Sequence, residues 1–568
     1  MYNKESFYDC TIVDLFAGPT FFTPIIIYYI IFKALIQINN KFFPIQTGSC
    51  HCPYNSTLLS RNLFMIIGTM PKFRSFFLSK SQFTRGLQCH KSLWLLKNRP
   101  ELRAEPDASL QARFDAGTDV GILAQQLFPD GMTLEYNSGI SHNINTTQEL
   151  IASGIGTIYE ATFRHDSVLA MVDILHKGPG GWRLYEVKSS TETKDIFIND
   201  TAIQYYVVAG SGIKVSRVFL VHLNNQYTRV GELDLQELFT IDDVTDSTLS
   251  RQRDIPQLLA AMRQSLEGDE PDIDIGPYCT EPYDCDFIPY CWQHIPKCSI
   301  FDIANLRKNR KFALYYRNIL HMKEIPPDFS LSDNMQIQVE AEVTGKEFIN
   351  ISNIKEFLSN IKEPLGFLDF ETFMEPVPSF DYQKPYQQIP FQYSLHILAS
   401  DKLSQHEFLG QPDEDPRRAF ITKLLIDTRP CRTIIVYNQA FEIVRLQEIA
   451  RDFPEFATDI DLLIARITDL MVPFRNRDYY VRAMCGSHSI KSVLPALVPD
   501  LSYNNLAIAD GETAMLSYAR LAKISSQEEI DKVRQDLLEY CRLDTLAMVK
   551  IWEKLVSLIK PREQLLLF

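Results

Sequence analysis

Two carboxylates stand two residues apart in the apolar stretch PLGFLDFETF, residues 364–373. Side chains at i and i+2 of a β-strand point to the same face, so a strand here places Asp369 beside Glu371. A buried pair of like charges is costly unless a cation neutralises it. The stretch therefore indicates either a strand that supplies half of a metal site, or a strand that ends at Phe370 and leaves Glu371 in a solvated loop.

Two later segments offer acidic side chains from separate elements. RTIIVYNQAFE, residues 432–442, predicts a β-branched strand at 433–437 and then a helix from about Gln439 that carries Glu442. LLEYCRLDTLAM, residues 537–548, predicts a helix with Tyr540 and Asp544 four apart on one face. Carboxylates that converge from three elements need divalent cations, and a pair of Mg²⁺ or Mn²⁺ ions is the expected occupant.

The motifs LDFET, NQAFE and YCRLDT resemble the three exonuclease motifs of the DEDD superfamily, and the Tyr-x-x-x-Asp spacing is similar to that of its tyrosine subtype. This resemblance implies an RNase H-like fold and 3′-5′ hydrolysis of nucleic acid, with single-stranded DNA as the expected substrate. It implies that two metal ions are held by Asp369, Glu371, Glu442 and Asp544, and that Tyr540 orients the attacking water.

One position departs from this superfamily, which usually has Asp where the chain has Glu442. Asp469, in ITDLMVPF, is the alternative ligand. His488, in CGSHSIKSV, is a candidate phosphate contact, and the alternative is a surface histidine with no role in the site.

A second set of candidate residues lies upstream, in a hairpin. Segments at 156–163, 168–176 and 182–187 read as strands, and KGPGG joins the last two. Asp173 lies in the first strand of the hairpin, and Glu186 and Lys188 share one face of the second. A carboxylate from each strand can bind one metal ion, while the lysine polarises water or stabilises phosphorane charge.

This hairpin resembles the RecB-like branch of the PD-(D/E)xK nucleases. Gln204, in the following segment NDTAIQYYVVAG, is similar to the additional Gln motif of that branch, and Glu160 is a further candidate ligand. The branch usually has a metal-binding His where the chain has Gly121. The alternative is therefore a nucleic-acid-binding scaffold, in which a degenerate N-terminal nuclease fold holds DNA while the C-terminal unit cuts it.

Four cysteines flank this region. Cys279, Cys285 and Cys291 follow one another at six-residue intervals in PYCTEPYDCDFIPYCW, and Cys89 stands upstream in LQCHKSLW. The arrangement resembles that of iron–sulfur RecB-like nucleases, which implies a [4Fe–4S] cluster held by these four thiolates. A Zn²⁺ site is the alternative, and four unrelated buried cysteines are another. Cys298 is a candidate substitute for one of the four ligands.

The bulk composition limits the class of protein. The 568 residues exceed one hydrophobic core, and 45% hydrophobic with 23% charged residues is typical of globular proteins. The net charge of −14 argues against a protein that coats nucleic acid, although it permits a local basic groove. Eleven scattered cysteines predict a reducing cytoplasm rather than a disulfide scaffold. A redox enzyme is disfavoured because no flavin or nicotinamide glycine motif is evident.

We expect an α/β chain with a RecB-like restriction-endonuclease fold followed by an RNase H-like DEDD exonuclease fold. As a whole it resembles an uncharacterised bacterial family with this fusion, which implies DNA repair, processing or defence. The predicted units are an apolar extension (1–75), the RecB-like domain with its cysteines (76–298), a helical connector (299–362), the DEDD domain (363–560) and a tail (561–568).

The two ends carry separate predictions. Residues 15–32 are uncharged but contain Pro19 and Pro24, so we interpret the extension as a mis-called start, with Met65 or Met70 as the true one, rather than a membrane segment. The final QLLLF resembles the peptide by which bacterial polymerases and repair proteins bind the sliding clamp. This implies partner contacts by Gln564, Leu565, Leu567 and Phe568; the alternative is that the tail folds back on the exonuclease domain.

Overall fold

The structure, a computed structural model, describes residues 77–503 and 506–559 of the chain. The predictions for the N-terminal extension and for the tail residues 561–568 lie outside the described residues. The described chain is mixed α/β, with two large sheets and one two-stranded sheet.

The strands and helices are numbered in chain order. The strands are β1 (Leu78–Ser79), β2 (Met132–Thr133), β3 (Thr157–His165), β4 (Val168–Gly178), β5 (Gly181–Lys188), β6 (Val215–Leu223), β7 (Phe239–Asp243), β8 (Phe348–Ile349), β9 (Leu365–Phe373), β10 (Ile389–Ala399), β11 (Lys402–Leu409), β12 (Thr433–Val436), β13 (Ile467–Asp469) and β14 (Tyr479–Tyr480). The helices are α1 (Lys80–Gln88), α2 (His90–Asn98), α3 (Ala108–Gln125), α4 (Ile140–Ala152), α5 (Asp195–Gly210), α6 (Leu235–Leu238), α7 (Thr245–Ser250), α8 (Ile255–Glu267), α9 (Ile288–Cys291), α10 (Lys308–Tyr315), α11 (Asp333–Thr344), α12 (Ile351–Ser359), α13 (Arg417–Asp427), α14 (Gln439–Asp452), α15 (Ala457–Ile464), α16 (Val472–Arg475), α17 (Ile490–Leu497), α18 (Gly511–Leu521) and α19 (Gln527–Ile559).

The first sheet contains the predicted hairpin. Its strands follow the order β2-β3-β4-β5-β6-β7, with β1 pairing with β4. Strands β4 and β5 are antiparallel up to the pair Gly178–Gly181, and Gly180 at the turn has a φ of +83°, which a residue with a side chain rarely adopts. The three strands predicted from alternation are thus confirmed within about two residues at each end.

Helices lie on either side of Cys89 and around Gln204. Cys89 has an extended backbone that separates α1 from α2, and its Sγ accepts the N–H of Ser92 as a cap. Gln204 lies within α5, which begins at Asp195 and ends at Gly210.

The second sheet positions the C-terminal candidate residues. Its order is β11-β10-β9-β12-β13, in which β9 pairs antiparallel with β10 and parallel with β12. One face packs on α19, α18 and α17, and the other on α13, α14 and α15. Nearly every residue of β9 and β12 is buried, because helices cover both faces of the sheet.

Residues 299–362, the predicted connector, contain α10, α11 and α12 and the short strand β8. A disulfide joins Cys298, directly before this segment, to Cys485, between β14 and α17. Among the described residues, no helix has both the length and the apolar character needed to cross a membrane.

Candidate functional site

Strand β9 carries the first two carboxylates. It continues to Phe373, so Glu371 lies within the strand and the solvated-loop interpretation is wrong. Alternation places Asp369 and Glu371 on the face that also presents Phe367 and Phe373 to the core beneath α19. Glu371 is only 7% exposed. The apolar neighbours therefore hold both acidic side chains against α19.

Helix α19 brings Tyr540 and Asp544 to this strand. They lie one turn apart on the buried stripe of the helix, as predicted. Asp544 is 5% exposed, and its Oδ1 accepts a hydrogen bond of 2.6 Å from the hydroxyl of Tyr503. Tyr503 was missed from the sequence because it lies in an irregular segment without periodicity.

Glu442 reaches the site from the first turn of α14. Asn438 precedes the helix with a φ of +83°, which turns the chain sharply out of β12. Glu442 is 2% exposed, and its Oε2 has no hydrogen-bond partner among the described residues. Asp469, the alternative ligand, accepts the N–H groups of Asn438 (2.9 Å) and Met471 (3.0 Å). Asp469 thus supports the turn that positions Glu442.

Burial raises the pKa values of all four carboxyls, and repulsion by other carboxylates adds to this at Asp369, Glu371 and Glu442. Burial is the largest cause throughout: it raises the pKa of Glu371 and of Glu442 to about 8 each, and that of Asp544 to about 6. Burial and then Asp544, Glu371 and Glu442 hold the pKa of Asp369 well above its usual range. In the described part of the chain, none of the four forms an ion pair with a lysine or arginine. A bound divalent cation would relieve this repulsion.

Lys491 borders the site without pairing with it. Its Nζ donates to the Ala509 carbonyl over 2.9 Å and lies 5.4 Å and 5.8 Å from the ring centroids of Tyr540 and Tyr503. Its charge lowers the pKa of Glu371 and Asp544. A single lysine near a helix start carries no sequence signal, and it was missed.

His488 lies close to this edge of the site. Its carbonyl accepts a hydrogen bond of 2.8 Å from the hydroxyl of Tyr437. Burial, followed by Arg477 and Arg475, lowers the pKa of its imidazole. The ring is therefore neutral at pH 7, and a phosphate contact by this residue remains a prediction.

The N-terminal candidate residues also lie close together, but here two lysine side chains contact a buried carboxylate. Glu186 is 1% exposed and contacts three side chains: Lys80 Nζ at 2.5 Å, Lys188 Nζ at 2.8 Å and Gln204 Nε2 at 2.5 Å. Asp173 accepts the backbone N–H of Val187 over 2.7 Å. Hairpin, lysine and glutamine come together as predicted, and Lys80 from the first turn of α1 is an unpredicted addition.

Two ammonium groups determine the charge state of this second site. Burial would raise the pKa of Glu186, but Lys188 and Lys80 hold it at about 2. Burial and the nearby Glu186 raise the pKa of Asp173 to about 7. Lys188 also pairs with Asp200 Oδ2 at 2.6 Å. Unlike the C-terminal site, this one already contains cations of its own.

Gly121, at the position of the expected histidine, lies in α3. The neighbouring Val120 and Ala124 pack with Tyr185 in a core on one face of the first sheet. Glu186 directly follows Tyr185 in β5, so its side chain points to the opposite face of the sheet, where α1 and α5 lie. The helix that contains Gly121 and the carboxylate of Glu186 are therefore on opposite faces of the first sheet.

All four predicted cysteines line one small cavity. Cys279, Cys285, Cys291 and Cys89 are free thiols around it. Ser92 contacts two of them, since its N–H donates to Cys89 Sγ at 3.5 Å and its hydroxyl accepts from Cys285 Sγ at 3.3 Å. Cys298 is instead bonded to Cys485, so the prediction that it substitutes for one of the four ligands is wrong.

The distances between the four sulfur atoms can be compared with those that a bound Zn²⁺ ion requires. In the described structure, no three of them lie within 4.8 Å of one another. A tetrahedral Zn²⁺ site with Zn–S bonds of about 2.3 Å requires sulfur separations of roughly 3.8 Å. The four sulfur atoms therefore lie further apart than a tetrahedral Zn²⁺ site would hold them.

Comparison with known proteins gives one partial match. Residues 366–489 match the model of a family described as a domain of unknown function (DUF2779). Comparison with curated proteins gives no match. The matched segment includes Asp369, Glu371 and Glu442 and stops before α19. Over less than half of its length, then, the chain is similar to a family whose description assigns no activity.

Proposed function

We propose that the chain is a metal-dependent nuclease that hydrolyses phosphodiesters at the carboxylate site of the second sheet. The expected reaction is 3′-5′ exonuclease cleavage of single-stranded DNA. The supporting observation is that Asp369 is repelled by Asp544, Glu371 and Glu442, and that none of these four carboxylates has an ion-pair partner in the described chain. Three of the four residues are buried, and Asp369 is partly buried. Buried carboxylates in this state are stable only when protonated or bound to cations.

The fit to divalent cations rests on the donor atoms. Glu442 Oε2 has no partner, and the carboxylate of Glu371 accepts no hydrogen bond in the described chain. Oxygen donors of this kind suit Mg²⁺ or Mn²⁺. Two such ions would activate water and stabilise the charge on the phosphoryl oxygens. The sheet order β11-β10-β9-β12-β13, with β10 antiparallel, supports an RNase H-like fold for this unit.

The surrounding side chains have distinct roles in this proposal. Tyr503 fixes the orientation of Asp544 through its 2.6 Å hydrogen bond. Tyr540, one helical turn before Asp544, would orient the attacking water through its hydroxyl. Lys491, exposed beside both rings, offers a cation to a phosphate of the incoming strand.

The test is digestion of 5′-labelled single-stranded DNA by the full chain in Mg²⁺ or Mn²⁺, with EDTA as a blank. Asp369→Asn and Asp544→Asn should each lower the rate by more than about 100-fold, because each removes a metal ligand. Asp461→Asn, the same change at an exposed position of α15 in the same unit, should leave the rate unchanged. Mg²⁺-dependent digestion that survives in the Asp369→Asn, Asp544→Asn double variant would overturn the assignment.

For the N-terminal unit we propose that a RecB-like fold holds nucleic acid rather than cleaves it. The supporting observation is that Lys80 and Lys188 both neutralise Glu186, so a metal ion would have to displace an ammonium group. Glu186→Ala should weaken DNA binding, because Lys80 and Lys188 lose the carboxylate that orients their side chains, and should leave cleavage by the C-terminal unit intact. Loss of cleavage in Glu186→Ala with Asp369 unchanged would show that this site cuts.

We further propose that the four-cysteine cavity holds a [4Fe–4S] cluster, as its sulfur spacing and free thiols allow. Anaerobically purified protein should show a broad visible absorption that a reductant bleaches, and Cys285→Ser should lose it. Colourless protein that contains one Zn²⁺ per chain, and loses it in Cys285→Ser, would favour the zinc alternative.

A further inference from the structure

One thiol lies inside the carboxylate site of the second sheet. Cys541 is fully buried on α19, between Tyr540 and Asp544, and its Sγ is 3.7 Å from Oδ2 of Asp369. The Sγ, an oxygen of Asp369 and an oxygen of Glu371 all lie within 4.8 Å of one another. Three potential ligand atoms from two elements therefore already surround one point.

A second observation shows that this point lacks a partner. Glu371 is more than nine-tenths buried, and its carboxylate has no hydrogen bond or ion pair among the described residues. A buried, unpaired carboxylate of this kind is costly, and a ligand bound between the three groups removes that cost.

We propose that Asp369, Glu371 and Cys541 form a binding site for a thiophilic divalent cation of the Zn²⁺ class. Hard cations such as Mg²⁺ take oxygen ligands only, so they leave the thiol protonated as a donor to Asp369. Zn²⁺ binds both thiolate sulfur and carboxylate oxygen and commonly keeps one position for water when three protein ligands hold it. Binding forms the metal–sulfur bond and releases the thiol proton to solvent, with no change in oxidation state.

The proposed site shares Asp369 and Glu371 with the two-cation arrangement, so the two modes of occupancy exclude each other. The inference therefore predicts that Zn²⁺ competes with Mg²⁺. This competition is the only part of the inference that rests on the proposed nuclease function. Zn²⁺ binding itself requires only the three ligand atoms. Metal binding is therefore the readout that separates this proposal from the question of cleavage.

The test uses Co²⁺ as a spectroscopic probe for Zn²⁺ in the metal-stripped full chain. A thiolate ligand gives a charge-transfer band in the near ultraviolet, and Zn²⁺ should displace the Co²⁺ and remove the band. Cys541→Ser should lose one equivalent of Co²⁺ and lower Zn²⁺ affinity about 100-fold or more. Cys431→Ser, which changes another buried thiol of the same unit, is the matched control. Both variants keep the four-cysteine cavity, so its contribution cancels in their comparison.

A check of folding and a second variant make the outcome decisive. Thermal unfolding checks that Cys541→Ser is folded; if it is not, Glu371→Gln takes its place and should lose the same band while the thiol remains. The proposal is supported if the serine or glutamine variant loses the Co²⁺ equivalent that Cys431→Ser keeps. Equal stoichiometry and equal spectra for the folded test variant and Cys431→Ser would overturn it.

Discussion

Tyr386 donates a hydrogen bond of 2.8 Å to the carbonyl of Ser189, and its hydroxyl oxygen lies 2.5 Å from Ser189 Oγ. Ser189 directly follows Lys188 of the N-terminal site. Tyr386 lies in the connection between β9, which carries Glu371, and β10. This side chain therefore joins the backbone of one candidate site to the loop that leaves the other.

Removing this hydroxyl should loosen the contact between the two units. Tyr386→Phe leaves the partly buried Ser189 carbonyl without its donor, and we expect a loss of about 1 to 2 kcal/mol in the free energy of unfolding. Tyr382→Phe, in the same loop, is the control because no described residue hydrogen-bonds to its hydroxyl. Urea unfolding of both variants measures the difference, and equal losses would show that the Ser189 contact contributes nothing specific.

The second prediction concerns the extra cation of the N-terminal site. Lys80→Met leaves the buried Glu186 with Lys188 as its remaining ammonium partner, so unfolding free energy should fall by about 2 kcal/mol. Millimolar Mn²⁺ should recover part of this loss, because a cation can then replace the missing charge. Lys91→Met removes a more exposed pair, with Glu270 at 3.0 Å, and should cost less than about 1 kcal/mol. A loss in Lys80→Met that Mn²⁺ does not reduce would mean that the site does not accept metal.

The third prediction tests Tyr503 as a positioning residue. Tyr503→Phe removes the hydroxyl that orients Asp544, and we expect Mn²⁺ affinity to drop about 10-fold. Tyr518→Phe loses a comparable hydrogen bond, of 2.8 Å to the Gln411 carbonyl. It should affect stability but leave Mn²⁺ affinity unchanged. Calorimetric titration measures the Mn²⁺ affinity of the two variants. An equal drop in affinity in Tyr503→Phe and Tyr518→Phe would indicate a general loss of structure instead.

The sequence predicted the parts of the molecule that follow periodic patterns. The apolar alternation around Asp369 and the helical spacing of Tyr540 and Asp544 each depend on residues close in the chain, and both elements formed as expected. The β4–β5 hairpin was equally predictable from its glycine-rich turn. Convergence of the four cysteines on one cavity was implied by resemblance alone, since spacing cannot show where distant segments meet.

The missed residues act through contacts that no local pattern encodes. Lys80 meets Glu186 across 106 positions of sequence, and Tyr503 meets Asp544 across 41. Cys298 was considered a ligand, but its partner Cys485 lies 187 positions away. Cys541 was invisible as a candidate because a cysteine on a helix is most often a small apolar residue of the core.

The last prediction concerns pH in the absence of metal. The folded chain holds the pKa of Glu371 and Glu442 at about 8 each, chiefly through burial, whereas an unfolded glutamate titrates near about 4.3. Between these values the folded state binds more protons than the unfolded state. The contribution of these groups to stability is therefore full at the acidic end, and it is lost as the pH rises toward 8.

Histidines of lowered pKa, such as His396 at about 4, act in the opposite direction, so the test must isolate the carboxyl contribution. Urea unfolding in EDTA at several pH values between about 5 and 8 should show Glu371→Gln gaining stability relative to the wild type as the pH rises, because the amide never ionises. Saturating Mn²⁺ should stabilise the wild type more than the variant, and increasingly so at higher pH, since the ionised carboxylate is the ligand. Parallel profiles for the two proteins in EDTA would show that Glu371 is already ionised in the folded chain at the acidic end of this range, and would remove the electrostatic basis for placing a cation beside it.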